Sequence, residues 1–245
     1  MRSFSNRYIF IFSSVMVIIV ATVLSLAATA LKPLQDKNLA IAKKTDILKS
    51  INMAKELSLA KNKDSYVEDE YNTYIVDSYV IDNNGNKKEG IDAFTVDLKK
   101  EMAKPIEARN LPLFIAQLDS SEKKFIIPMR GKGLWGPIWG YIALNDDYNT
   151  IFGAVFDHDG ETPGLGAEIN TDWFRGAFID KRIFDENGKF VSITLHKGGE
   201  GAAQNAGDVL HGVDAISGGT ITSRGLEDMV KNTFNSYLTY FKNNK

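Results

Sequence analysis

The N-terminal part of the chain is dominated by one uninterrupted apolar run. Residues Tyr8 to Leu31 carry no charged side chain over 24 positions, and a helix of about that length spans roughly 36 Å, enough for a hydrocarbon core of about 30 Å. A cleaved signal peptide is the alternative, because residues 28–30 read Ala-Thr-Ala. The apolar region of a signal peptide covers only about 7–15 residues, however. The length therefore favours a retained single transmembrane helix in a lipid bilayer.

The charges beside this run leave its orientation open. Two arginines precede it and four lysines follow it. In chain order these are Arg2, Arg7, Lys32, Lys37, Lys43 and Lys44. The excess of positive charge after the run predicts a cytoplasmic domain, which conflicts with a signal anchor. Because long domains cross membranes largely regardless of such charges, the count does not decide between the two orientations.

Beyond Pro33 the pattern changes from a continuous apolar run to a stripe. Apolar positions between residues 34 and 51 recur at helical spacing, so we expect the helix to extend outward as a stalk. Lys61 to Glu70 is polar and interrupts this pattern, which predicts a linker. The predicted organisation is therefore an N-terminal tail and transmembrane helix (1–33), a helical stalk and linker (34–70), and a folded domain (71–245).

The remaining chain mixes strand-like segments with two helical ones. Six segments are rich in β-branched and aromatic residues, which is typical of strands. They are Tyr71–Ile81, Phe94–Leu98, Phe125–Met129, Ile138–Leu144, Ile151–Phe156 and Phe190–Leu195. Trp173–Ile179 is predicted as a short helix. The predicted fold class is α+β: a single N-terminal transmembrane helix followed by a mixed α+β domain.

An amphipathic helix is predicted at the C-terminus. Its apolar positions recur at steps of three and four from Leu226 to Phe241. Thr222 or Ser223 is the predicted N-cap, because a hydroxyl there can accept a hydrogen bond from the first turn. The unpaired N–H groups and the dipole of such a helix start favour a phosphate.

Composition narrows the classes of function. The 29 basic and 31 acidic residues nearly cancel, so the chain has no electrostatic footprint for nucleic acid. It contains no cysteine, which excludes disulfides, cysteine-ligated zinc and iron–sulfur clusters within this chain. Its three histidines are widely separated and form no HExxH pair, so no metal site is predicted.

The segment before the C-terminal helix is rich in hydroxyls and glycines. Residues 214–223 read DAISGGTITS. An ordinary helix-capping turn has this composition, because Ser, Thr and Gly are common at helix starts. The alternative is a phosphate site in which one hydroxyl carries the phosphate covalently.

Two glycine-containing loops are further candidates. Residues 131–136 (GKGLWG) match GxGxxG, but Pro137 and a strand follow where a dinucleotide-binding motif opens a helix. Trp135 either stacks on a planar ligand or lies buried in a hairpin core. In residues 161–166 (ETPGLG), Pro163 stiffens the loop and the glycines permit close approach of the backbone. Alone, this second loop is also consistent with a tight turn.

Together these motifs resemble one family. The matching segments are the N-terminal span, 133–141 (GLWGPIWGY), 161–166, 197–199 (KGG) and 217–220 (SGGT). Over nearly its whole length the chain is similar to the C subunits of the sodium-translocating NADH:quinone reductases (Nqr), the NqrC family. The last segment is similar to the flavinylation motif Ser/Thr-Gly-Ala-Thr, with Gly219 in place of the usual alanine. The resemblance implies an FMN-binding domain with FMN joined to Thr220 by a phosphodiester.

The resemblance also implies roles for the neighbouring residues. Asp214 would help an FAD-using flavin transferase to recognise the acceptor. Glu161 would hydrogen-bond the ring edge or hold its loop, and Lys197 would stabilise reduced flavin unless it is an ordinary solvated lysine. The predicted cofactor-binding residues are Ser217, Gly218, Gly219, Ile221, Thr222, Trp135, Glu161, Thr162, Leu165, Gly166 and Lys197. None is predicted to be catalytic.

At the level of the whole protein, the resemblance implies an electron-carrier subunit of a translocating enzyme. It would relay single electrons between an iron–sulfur centre and the FMN of NqrB, among the partner subunits NqrA, NqrB, NqrD, NqrE and NqrF. Its domain would lie outside the cytoplasmic membrane. Two alternatives stay open: the RnfG subunit of an Rnf-type electron-transport complex, and a non-redox membrane-anchored binding or sensor domain. The tryptophan-bearing loop and the longer domain favour Nqr.

Overall fold

The computed structural model describes residues 5–119 and 122–244, so the predicted basic flank at Arg2 lies outside the described residues. The chain divides into two compact units, Met1–Lys43 and Lys44–Lys245. In chain order the α-helices are α1 (Asn6–Ser50), α2 (Lys63–Tyr74), α3 (Leu98–Met102), α4 (Asp172–Gly176), α5 (Ala202–Asn205) and α6 (Thr220–Asn244). The β-strands are β1 (Ile75–Ile81), β2 (Lys87–Lys88), β3 (Leu111–Gln117), β4 (Lys123–Lys132), β5 (Pro137–Leu144), β6 (Ile151–His158), β7 (Thr194–His196) and β8 (Gly212–Asp214). Single 3-10 turns occupy Ala93–Thr95, Ile106–Ala108 and Gly166–Asn170.

The first unit contains the apolar part of helix α1, which begins at Asn6. An 18-residue window of this helix has a mean hydropathy of 2.7, and none of that window is buried. By length and composition this helix can cross a membrane, and its exposed apolar side chains require a lipid or protein environment. The predicted apolar helix is confirmed. Pro33 lies inside α1 and does not end it.

The second unit contains a six-stranded antiparallel sheet. Its strand order is β2-β1-β3-β4-β5-β6, so β3 to β6 form a meander and β1 pairs with β3. The 25-residue helix α6 supplies apolar side chains to the main core on one face, where they join alternate residues of the strands. Its core residues include Leu226, Met229, Val230, Phe234, Tyr237 and Phe241. The sheet thereby provides a rigid support for the first turn of α6.

The opposite face of the sheet is also covered. Strand β3 is buried at every position but its last, and residues 124–129 of β4 are all buried, which requires packing on both faces. Ile47, Leu48 and Val67 are fully buried outside the main core. A Cβ atom at Gly153 in β6 would lie 3.3 Å from the carbonyl carbon of Ser50, so the C-terminal end of α1 packs directly on this strand.

Several predicted elements are confirmed by the structure. The segments predicted as strands at residues 125–129, 138–144 and 151–156 lie within β4, β5 and β6. The short helix predicted at 173–179 corresponds to α4, and the amphipathic C-terminal helix corresponds to α6. The α+β fold class is therefore correct.

Four local predictions are wrong. The polar segment predicted as a linker forms α2, whose N-terminus is capped by Asn62, and the following strand begins only at Ile75. Residues 94–98 form a 3-10 turn and the start of α3, because Asp92 and Asp97 cap both short helices. Strand β3 was not predicted. Residues 190–195 are not one strand, because Ser192 has a φ of 65° and β7 begins after it.

Candidate functional site

The site begins at the loop between β4 and β5. The N–H of Gly133 donates to the carbonyl of Gly136 at 2.8 Å, which closes a tight turn. Trp135, at the tip of this turn, is 70% exposed. The interpretation of Trp135 as a buried hairpin residue is therefore wrong, and its indole presents an aromatic surface outside the core.

The ETPGLG segment, residues 161–166, is a second tight turn, and we call it the packed loop. The N–H groups of Leu165 and Ala167 both donate to the carbonyl of Thr162 at 3.1 Å. Gly164 has a φ of 75°, a left-handed conformation that glycine adopts without steric cost. Leu165 is 41% exposed at the end of this turn.

The third element is the turn that joins β8 to α6, and we call it the acceptor turn because Thr220, the predicted site of FMN attachment, directly follows it. Gly218 has a φ of 73°, and a Cβ atom there would lie 2.6 Å from Leu165 Cδ2. The turn therefore packs on the packed loop. Thr220 is the first residue of α6 and is half-buried, whereas Ile221 is 57% exposed. Ser217 is exposed as well.

The predicted N-cap is wrong, because α6 begins two residues before Thr222. Thr222 Oγ1 donates to Glu161 at 2.6 Å, and Ser223 Oγ donates to the Gly219 carbonyl at 3.0 Å, so neither hydroxyl caps the helix. The N–H of Gly219 already donates to Ile216 at 3.0 Å and is not free for a phosphate. The first N–H groups of α6, from Thr220 to Thr222, have no acceptor within the helix.

Glu161 joins the three elements of the site. Its carboxylate is 4% exposed, with Oε1 accepting from the Trp135 N–H at 2.9 Å and Oε2 accepting from the Thr222 hydroxyl at 2.6 Å. Burial opposes ionisation, but hydrogen bonds from Thr222 and from the N–H groups of Trp135 and Gly136 outweigh it. Together they hold the pKa of Glu161 below its usual value. The carboxylate is therefore ionised near neutral pH.

The glycines around this carboxylate leave the space that the contact requires. A Cβ atom at Gly166 would lie 2.5 Å from Glu161 Oε2, and one at Gly133 would lie 3.0 Å from the Glu161 carboxyl carbon. A Cβ atom at Gly225 would overlap the carbonyl oxygen of Lys132, so the second turn of α6 packs directly on the end of β4. Side chains at these positions would separate the loops from the helix.

Lys197 lies in a different kind of loop, residues 197–201, which we call the open loop. It follows β7, and the N–H of Ala215 donates to His196 at 2.8 Å, so the open loop starts beside the strand that leads to the acceptor turn. Asp214 Oδ2 accepts from the Gly201 N–H at 2.6 Å and Oδ1 accepts from the Ala203 N–H at 2.8 Å. Asp214 thus ties this loop to β8.

His158 is a residue of this site that the sequence pattern did not indicate. Its Nδ1 accepts from the backbone N–H of Glu161 at 3.2 Å. A ring nitrogen that accepts cannot carry a proton, so the proton of the neutral ring lies on Nε2. Nε2 is buried and has no partner among the described residues. An isolated histidine gives no sequence signal for this role.

The structure brings most of the predicted residues together. Trp135, Glu161, Leu165 and Thr222 are linked by the contacts above to the turn that precedes Thr220. Lys197 is exposed, and among the described residues the link to this group is the backbone hydrogen bond between His196 at the end of β7 and Ala215. The assembled surface offers a half-buried hydroxyl, unpaired N–H groups and exposed aromatic and aliphatic side chains.

Comparison with known proteins places this site within a described domain family. The FMN-binding domain family matches residues 133–235, which include both loops around Glu161 and the acceptor turn. The chain is 30% identical over 238 residues to the C subunit of the Na(+)-translocating NADH-quinone reductase of Haemophilus ducreyi, covering 92% of this chain and 90% of the relative.

Solved structures agree with this relationship. The C subunit of the same enzyme from Parabacteroides distasonis superposes with a TM-score of 0.73 and 38% identity, covering 86% of this chain and 96% of that structure. NqrC of Shewanella oneidensis superposes with a TM-score of 0.65 and 30% identity, covering 83% of this chain and 98% of that structure. The chain therefore belongs to the NqrC family, the C subunits of the Na(+)-translocating NADH-quinone reductases, which are enzyme complexes.

Proposed function

We propose that Thr220 carries FMN through a phosphodiester bond and that the chain is the covalent-flavin electron carrier of its complex. The observation that carries this proposal is the position of Thr220 as the first, half-buried residue of a 25-residue helix. The dipole of such a helix and its unpaired N–H groups favour a phosphate at this end. The FMN-binding domain match covers this position.

The residues present fit FMN at both ends of the molecule. The N–H groups of Ile221 and Thr222 and the exposed Ser217 are available to the phosphate, whereas Gly219 is not, because its N–H is already bonded. Trp135 and Leu165 provide exposed apolar surface beside the same turn, as a planar ring requires. Both kinds of contact lie within one continuous region.

Attachment requires the Thr220 hydroxyl to act as the phosphate acceptor. Its oxygen forms a bond to the phosphorus of the FMN half of FAD, the pyrophosphate bond of FAD breaks, and AMP and a proton are released. A separate flavin transferase would perform this step, and Asp214 would contribute by holding the open loop against β8. The chain itself supplies the accessible hydroxyl and the ordered turn.

Bound FMN supplies the capacity to accept and donate single electrons, and the protein sets its position and potential. Trp135, Leu165 and Thr162 would flank the ring. The backbone of Gly166 would let the packed loop approach it. Lys197 would place a positive charge where reduced flavin becomes negative.

We further propose that electrons pass from an iron–sulfur centre to this chain and then to the FMN of NqrB. NqrA, NqrB, NqrD, NqrE and NqrF would be the partner subunits. The apolar run 8–31 of α1 would lie in the membrane, with residues 71–245 on the extracytoplasmic side. The absence of cysteine from the sequence is consistent with donors and acceptors held by other subunits.

The test uses the full chain produced together with an FAD-dependent flavin transferase. We expect the denatured polypeptide to fluoresce under ultraviolet light and to gain the mass of one FMN less one water. Thr220→Val should abolish both signals, and Thr220→Ser, which keeps a hydroxyl, should retain them. Fluorescence that survives in Thr220→Val would contradict the assignment and transfer it to a neighbouring hydroxyl.

The relay requires a second measurement in the assembled complex. We expect the Thr220→Val complex to lose NADH-driven quinone reduction while NADH oxidation by an artificial acceptor continues upstream. Unchanged quinone reduction would show that electrons bypass this chain.

A further inference from the structure

Glu161 and Thr222 form a buried contact that couples the packed loop to the first turn of α6. The two residues are 61 positions apart in sequence, and each is almost completely buried, at 4% and 1% exposure. The bond between Thr222 Oγ1 and Glu161 Oε2 is 2.6 Å long, which is typical of a charge-assisted hydrogen bond from a hydroxyl to an ionised carboxylate.

The contact fixes the rotation of the helix start. Successive helical residues are turned by about 100° around the axis, so fixing one side chain of the first turn determines where the others point. With Thr222 held inward against Glu161, Ile221 is left exposed and Thr220 half-buried. A rotation of this turn would change the exposure of the Thr220 hydroxyl.

The same carboxylate fixes the loop that carries Trp135. Its second oxygen accepts the Trp135 N–H at 2.9 Å, and the backbone of Glu161 is itself held by His158. The room for this arrangement comes from Gly133 and Gly166, where a Cβ atom would collide with the carboxylate. The Glu161 carboxylate therefore fixes both the first turn of α6 and the loop that carries Trp135.

We propose that Glu161 and Thr222 are a pair of positioning residues that hold the Thr220 hydroxyl and the Trp135 loop in the arrangement that receives FMN. The proposal rests on Thr220 being the acceptor. Neither side chain needs to touch the flavin, because both act through the backbone segments that they hold.

The test measures the rate at which the full chain in detergent becomes fluorescent with FAD and purified transferase. Thr222→Val removes the hydroxyl and preserves the side-chain shape, and loss of a hydrogen bond to a charged group should slow the rate about tenfold or more. Thr222→Ser keeps the hydroxyl and should restore the native rate. Rates are compared for equal amounts of folded chain, measured by thermal unfolding.

Thr233 provides a matched control on the same helix. It is also buried, at 4% exposure, and its hydroxyl has no hydrogen-bond partner among the described residues. Thr233→Val should therefore leave the flavin attachment rate unchanged. A similar slowing in Thr233→Val and Thr222→Val would overturn the proposal, because it would reflect helix destabilisation alone.

A second variant and a spectroscopic signal cover the case in which Thr222→Val does not fold. Glu161→Gln removes the charge at nearly constant shape and should also slow attachment about tenfold. In the flavin that does attach, we expect weaker visible circular dichroism than in the native chain, because the ring is less fixed. Native rates and dichroism in Glu161→Gln would overturn the proposal.

The outcomes separate this proposal from the assignment of Thr220. If the native chain gains no flavin, or Thr220→Val still gains it, the proposed function fails. If the native chain is labelled at Thr220 and Thr222→Val is labelled equally fast, only the positioning pair fails. Slow attachment in Thr222→Ser would also overturn the pair, because the hydroxyl would then not be the cause.

Discussion

The packed loop and the open loop both contain glycines, but Gly166 of the packed loop and Gly199 of the open loop are required for different reasons. In the packed loop, Gly166 has an ordinary backbone conformation, and a Cβ atom there would collide with Glu161 and Thr222. In the open loop, Gly199 has a φ of 80°, and nothing lies within 4 Å of its Cβ position. One glycine is required for space and the other for backbone conformation.

Each loop is also fastened by one carboxylate, with different consequences. Glu161 is buried and bonds to two separate elements, so it couples the packed loop to α6 and to the tryptophan loop. Asp214 is less buried and bonds to the neighbouring backbone at Gly201 and Ala203, so it orders the open loop locally. A mutation in the packed loop should therefore disturb all three elements of the site, whereas a mutation in the open loop should disturb that loop alone.

The largest effect is expected at Gly225, where α6 packs on the end of β4. Alanine is about 1 kcal/mol better than glycine inside a helix, but its Cβ here would overlap the Lys132 carbonyl oxygen and lie 3.2 Å from the carbonyl carbon. Backbone overlap of this kind costs up to about 3 kcal/mol. We expect Gly225→Ala to lower the free energy of unfolding in urea by about 2 kcal/mol.

Gly176 in α4 is the matched control for this prediction. It is helical, its φ is not positive, and its Cβ position has no atom within 4 Å. Gly176→Ala should stabilise the chain by up to about 1 kcal/mol. Stabilisation by Gly225→Ala as well would show that the close packing of α6 on β4 is absent in solution.

A smaller effect is expected at Gly199. Alanine in a left-handed conformation costs about 1 kcal/mol, and the open surroundings add no steric penalty. We expect Gly199→Ala to lower the free energy of unfolding in urea by about that amount. Gly160 has equally open surroundings without a positive φ, so Gly160→Ala should change stability by less than about 0.5 kcal/mol. An equal loss of free energy of unfolding in Gly199→Ala and Gly160→Ala would show that the left-handed backbone conformation of Gly199 is not the reason why glycine is required there.

The sequence predicted the elements whose pattern is set by burial. Residues 125–129 of β4, the whole of β5 and residues 151–156 of β6 are continuous runs without charge, and α6 keeps a helical apolar stripe, so the types of these elements follow from local residues. Helix α2 was missed because only Val67 in it is buried and its start depends on the Asn62 cap. Strand β3 was missed because Pro112 interrupts the sequence pattern of a strand. In the structure the carbonyl of Pro112 accepts the Tyr237 hydroxyl at 2.6 Å, which joins this strand to α6.

The sequence predicted the motifs that form the site, but it did not predict the contacts that join them. The motifs around Trp135, Leu165 and Thr220 stand out because glycines and hydroxyls cluster locally. The bond between Glu161 and Thr222 joins residues 61 positions apart, and no local pattern encodes it. The same holds for His158, whose role depends on the backbone conformation three residues later.

The smallest effect is expected in the pH dependence of the free energy of unfolding, to which the charge of Glu161 in the packed loop contributes. Because the pKa of Glu161 is lowered in the folded state, its stabilising contribution is present above the unfolded value of about 4.3 and is lost as pH falls through the lower folded pKa. Glu161→Gln cannot titrate. We therefore expect the difference in free energy of unfolding between the native chain and Glu161→Gln to shrink in urea titrations as the pH is lowered from about 6 to about 3. Glu186, an exposed carboxylate, serves as the control through Glu186→Gln. A difference that stays constant or widens with acid would mean that the carboxylate is not held ionised by Thr222 and the Trp135 backbone, and the coupling between the packed loop and α6 would then need another cause.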